Sequence, residues 1–318
     1  MFSTGIMWLI FGAVIAGLLA LDLFVINRNP HEIKTKEAFW TSVFWITISL
    51  LFNAFVFYEK GFTAGLEFFT GYLIEKALSV DNIFVFVVIF AYFQVPQKYQ
   101  HRVLFLGILG ALLLRGTLIF LGAALIQRFE WIIYIFGAFL IYTAYRLGTQ
   151  NDEGVHPEKN PIVNVFRRIM PVTADFQGQA FLLRANGAWT ATPLLVVLLV
   201  VETTDVVFAL DSIPAIFAIT TNPFIVFTSN VFAILGLRAL YFLLAGVMGT
   251  FRYLKTGLSF ILGFVGVKMI IGIIDIQIPI LVSLGVIVIV LTVSIVASII
   301  VQRREERQLA LLQESNES

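Results

Sequence analysis

The sequence predicts an all-α polytopic membrane protein of about nine transmembrane helices, with two inverted three-helix repeats. Three observations predict it. Hydrophobic residues fill 59% of the 318 positions and charged ones 13%, against about 25% charged in a soluble domain. Apolar runs long enough to cross ~30 Å of hydrocarbon recur along the whole chain. Two acidic stretches in different runs match each other.

The runs read at 6–26, 38–58, 66–93, 103–126, 130–147, 190–219, 224–247, 254–274 and 279–301. The first has no basic flank before it and no small-residue cleavage site after it, so it reads as a retained helix rather than a signal peptide. With the N-terminus outside, the inner segments hold Arg28, Lys34, Lys36, Lys98, Arg102, Arg146, Lys159, Arg167, Arg168, Arg184, Arg252, Lys255, Arg303, Arg304 and Arg307, which makes 15. The outer segments hold 2, Lys60 and Arg128. The positive-inside rule therefore predicts the N-terminus out and the C-terminus in the cytoplasm. Residues 148–189 form the longest connection, on the cytoplasmic side. Within it, 161–170 carries Ile162, Val163, Val165, Phe166, Ile169 and Met170 around Arg167 and Arg168, the pattern of a helix lying on a membrane surface. Asn186-Gly187 between two short β-prone runs signals a hairpin. The tail, 302–318, reads as a charged helical flank on the cytoplasmic side. We read 1–318 as one membrane domain.

The repeat shows in Glu75-Lys-Ala-Leu-Ser-Val-Asp81-Asn82-Ile83 of the third run and Asp205-Val-Val-Phe-Ala-Leu-Asp211-Ser212-Ile213 of the sixth. Each following run carries an Ile-Leu-Gly and then an arginine, Arg115 or Arg238. Residues 66–147 thus match 190–274, and the two halves enter the membrane from opposite sides. Many secondary transporters are built this way, with the substrate site at the repeat interface near mid-bilayer.

Other functions are excluded by composition. A formal net charge of +1 does not suit nucleic acid as a partner. Cysteine is absent, which removes disulfides, thiolate zinc sites and iron–sulfur clusters. His31, His101 and His156 lie in polar connections, so no haem ligand stands between helices. No glycine-rich phosphate loop precedes a helix, and no nucleophile–base pair is visible, so the chain reads as no enzyme and has no resident cofactor.

Five acids remain inside the spans: Glu75, Asp81, Glu202, Asp205 and Asp211. Each costs ~2.5–3.5 kcal/mol at a helix centre. Ion pairing with Lys76, Arg115, Arg238 and Lys268 accounts for some of them, but four cations do not cover five anions. Glu75, Ser79 and Asn82 share a helix face, and so do Asp205 and Ser212; Asp81 and Asp211 point about 100° away from their neighbours. A common site then needs local unwinding, and Pro214 offers it by removing a backbone donor. The candidate ligands, Glu75, Asp81, Asn82, Glu202, Asp205, Asp211 and Ser212, are all hard oxygen donors, suited to Mg²⁺, Ca²⁺ or Mn²⁺.

Glu75–Asn82, the run VETTDVVFALDSIPA at 201–215 and TSNVFAILGLRA at 228–239 resemble the TerC family, and within it the Alx-type bacterial members. The likeness extends from Leu21-Asp22 to about residue 300. The resemblance implies a bacterial inner-membrane protein of the LysE-like transporter group that exports Mn²⁺, the transported ion, from the cytoplasm. Protons would exchange for the metal on the same acids. Two other functions stay open: a calcium or sodium exchanger, and a membrane factor that helps metalate secreted proteins. Beyond the metal and the lipid bilayer, the sequence names no partner.

Overall fold

A computed structural model describes residues 2–22, 33–149, 161–185, 188–245, 253–274 and 276–317. The Asn186-Gly187 turn, His31, His156, and Arg28, Lys159 and Arg252 of the charge count lie outside them. The helices are α1 (Thr4–Leu21), α2 (Thr35–Lys60), α3 (Phe62–Tyr92), α4 (Gln97–Arg128), α5 (Ile132–Thr149), α6 (Pro161–Ile169), α7 (Pro193–Phe217), α8 (Pro223–Leu235), α9 (Leu237–Leu244), α10 (Leu254–Ile271) and α11 (Ile280–Glu317). Strands β1 (Leu182–Ala185) and β2 (Ala188–Ala191) pair antiparallel between α6 and α7, Arg184 opposite Trp189.

Eight runs are long and apolar enough to cross a membrane, α8 and α9 counting together as Pro223–Leu244. The long helix α3 falls outside that group because Glu67, Glu75, Lys76 and Asp81 break its apolar character. At 31 residues and ~1.5 Å per residue it is long enough to cross. With it, the spans among the described residues occupy the places that the hydropathy pattern predicts. The chain is an all-α polytopic membrane protein.

The charged helix takes the centre. α3 packs against α2, α7, α8 and α9, with α10 and α11 behind it, because only protein neighbours can satisfy its polar groups inside hydrocarbon. The principal pairs around it are α3 with α8, α4 with α7 and α5 with α10. Exchanging α3 for α7, α4 for α8 and α5 for α10 leaves this set of pairs unchanged. Gly137 and Gly266 let α5 and α10 touch backbone to backbone: a Cβ on Gly266 would stand 2.8 Å from the Gly137 carbonyl oxygen.

Two expectations about local geometry change. α7 runs unbroken through Pro214, which lies one turn from its end in a wholly buried stretch, Ser212–Phe217. The missing donor there leaves the helix closed, because packing on all sides holds the last turn. The interruption occurs instead at Gly236, between α8 and α9. The charged tail, by contrast, continues α11 as one helix to Glu317.

Candidate functional site

At the centre of the bundle a buried arginine joins helices from both halves. Arg115 rises from α4 and is 1% exposed. Its Nε and Nη2 donate to the two oxygens of Asp205 on α7, at 3.0 and 2.8 Å. Its Nη1 donates to Glu75 on α3 and, at 3.3 Å, to the Ser212 hydroxyl. The other Glu75 oxygen accepts from the Asn230 amide of α8 at 2.9 Å. Two ionised acids and one guanidinium carry a formal charge of −1 in a place closed to bulk water. Such a network persists only when nearly every donor and acceptor is used.

Some are not used. The Ser79 hydroxyl, the Asn230 carbonyl oxygen and one oxygen of Glu202 are buried without a hydrogen-bond partner among the described residues. Ser79 lies one turn from Glu75 on the same inward face, with Asn82 a turn further, and all three are buried. Glu202 lies one turn before Asp205 and packs against α4 where Gly110 has no side chain: a Cβ there would collide with the carboxylate.

A narrow crevice with a cavity volume of only about 10 Å³ reaches this centre between α3, α4, α7, α8 and α9. Its walls are apolar apart from Asp205 and Arg238. Arg238 starts α9 and pairs with Asp22 at the end of α1; its Nη1 has no partner. Beside it the chain breaks at Gly236. The Ala233 carbonyl there accepts from Lys76 Nζ at 3.1 Å. A lysine from α3 thus caps the negative end of α8, as the helix dipole favours. A Cβ on Gly236 would come within 2.6 Å of that ammonium nitrogen, so a larger residue would push the cap aside.

Of the seven residues singled out from sequence, Glu75, Asp205 and Ser212 meet at Arg115, and Asn82 is buried on the face that Glu75 presents. The acids Asp81 and Asp211 contribute no bond to Arg115. Asp211 is half-buried and accepts from Thr143 of α5 at 2.9 Å. With α7 unbroken, the 100° offset between Asp211 and Ser212 keeps them apart. Among the described residues, no three His, Asp or Glu side chains stand close enough to hold a metal ion together. Sequence reasoning missed Asn230, whose signal was the polar run Thr228-Ser229-Asn230 within an apolar span. Lys76 entered it only as a neutralising charge, and Arg115 as that and as a matched position of the repeat.

Residues 60–306 match the profile of the integral membrane protein TerC family. The chain belongs to the TerC family. It is 54% identical over 298 residues to the uncharacterized membrane protein STKORF319 of Myxococcus xanthus, covering 93% of each chain. Alx of Escherichia coli (strain K12), provisionally named a membrane-bound redox modulator, is 47% identical over 316 residues, 96% of this chain and 98% of that one. Alx of Salmonella typhi is 46% identical over 317 residues, at the same coverage. No solved structure matches the chain.

Proposed function

We propose that this protein is a secondary transporter of the bacterial inner membrane that exports Mn²⁺ from the cytoplasm by alternating access. One observation carries the reading. Glu75 and Asp205, the matched acids of the two halves, are held together by a single buried cation, the Arg115 guanidinium. A place that binds one cation through two carboxylates is suited to another.

In this reading Arg115 stands in for the cargo. A divalent ion arriving along the cleft displaces the guanidinium and takes Glu75 and Asp205. Ser212, Ser79 and the unpartnered Asn230 oxygen complete an oxygen shell. Asp205, which lines the cleft, is the first acid that the ion meets, while Glu202, Asp81, Asn82 and Asp211 serve its passage on either side. The exchangeable packing of the two halves supports rocking about this centre. Carboxylates must be ionised to hold a metal, so binding releases any proton they carry, and protons supplied from outside would drive release there.

The test is flux from vesicles containing only this protein. Mn²⁺ efflux accompanied by opposite proton movement, at clamped membrane potential, is the expected result. Transport of Ca²⁺ or Na⁺ in preference to Mn²⁺ would assign the site to another cation, and flux indifferent to an imposed pH gradient would remove the exchange. The relatives' name points to redox modulation. A chain without cysteine cannot carry out thiol–disulfide exchange itself, so we place any such effect downstream of metal movement.

A further inference from the structure

At the ends of the helices, away from the Arg115 centre, an open cleft of about 340 Å³ lies between the end of α3 at Tyr92–Gln94, Arg167 of α6, Phe176 and the start of α7 at Pro193. Since α3 and α7 cross the membrane, the cleft lies at the level where the bilayer meets water.

Beside it lies α6, whose Arg167 lines the cleft. Val163 is buried and Phe166 half-buried against α7 and its neighbours. Ile162, Val165 and Ile169, further round the same side of the helix, are exposed, Ile169 to 77%. A surface helix with a basic C-terminal end and an exposed apolar face at a bilayer boundary inserts that face among the acyl chains.

Arg167 lines the cleft, is exposed, and makes no ion pair or hydrogen bond with a described residue. Lys98 stands over Tyr99, which packs on Phe176 at the rim. The positive end of α7 opens on the same space, and its N-cap Thr192 turns its hydroxyl to the Ala180 and Phe181 carbonyls instead of capping the helix. Below these groups the walls are Tyr92, Phe93, Phe176 and Val196.

We infer that this cleft is a binding site for an anionic phospholipid. The phosphate lies against Arg167, whose planar fork matches it. The glycerol and upper acyl chain lie on the aromatic wall. The inference does not depend on what the central site transports.

Native mass spectrometry of the full-length protein tests it, after equilibration with phosphatidylcholine vesicles containing a minor share of phosphatidylglycerol. Wild type should retain one phosphatidylglycerol. Arg167→Gln should retain it roughly tenfold less, the equivalent of ~1.4 kcal/mol of lost contact. The neighbouring Arg168→Gln should match wild type. Both positions are exposed, so neither change threatens the fold. Equal loss in both variants means diffuse surface attraction and overturns the inference, as does equal retention in wild type and Arg167→Gln. A second arm offers inorganic phosphate alone; its retention in place of lipid would make the cleft a free-anion site and sink the lipid assignment.

Discussion

Arg115 is the residue on which both buried acids depend. Breaking a buried ion pair from one side costs ~3–5 kcal/mol, because the charge left behind has neither partner nor water. Arg115→Gln should therefore lower the stability of the metal-free protein by about that amount. Mn²⁺ should restore more of it than it adds to wild type, by mass action on the freed acids. Denaturation midpoints in detergent, with and without metal, measure both, and a variant midpoint that ignores Mn²⁺ counts against the site. In cells, Asp205→Asn and Asp211→Asn should abolish manganese tolerance while the protein still accumulates. Normal tolerance in Asp211→Asn would confine the site to the groups around Arg115. Glu75 and Asp205 were legible in the sequence through their insertion cost and matched positions. Asn230 was not, because one amide in an apolar span looks like any other until a carboxylate is found beside it.

The broken helix α8–α9 is the element that sequence reasoning placed elsewhere. Proline is a local signal for opening a helix, and Pro214 carries it; yet packing keeps α7 closed there. The interruption at Gly236 is met by Lys76, which is remote in sequence, so no local pattern announces that contact. Gly236→Ala should cost ~1–3 kcal/mol by crowding Lys76 and Trp45, read as a lowered midpoint with little loss of metal binding. The neighbouring Asp22–Arg238 pair should behave asymmetrically. Asp22→Asn leaves an uncompensated guanidinium on the cleft that leads to Asp205, and should raise the KM for Mn²⁺ efflux roughly tenfold, the effect of ~1.4 kcal/mol of repulsion. Arg238→Gln should leave KM unchanged or lower. If both raise it alike, the pair is only a strut.

Across the whole molecule, the hydropathy runs were the most legible feature, since each span must satisfy its own backbone within hydrocarbon. Which spans touch was visible only in outline, through the matched acids; the backbone contact of α5 with α10 rests on glycines that a hydropathy reading treats as neutral. Efflux should rise with cytoplasmic pH, because protons and metal compete for the same carboxylates. Vesicle flux across a pH series checks the sign, and a falling rate would contradict it. The lone guanidinium at the centre also sets a valence rule. Glu75 and Asp205 bring two negative charges, and Arg115 cancels one. A sodium ion in its place would leave the same residual charge while forfeiting the fork of hydrogen bonds, so the swap gains nothing. A divalent ion brings the balance to zero. By charge counting alone, before ligand geometry or ionic radius enters, a centre guarded by its own monovalent cation discriminates against every other one.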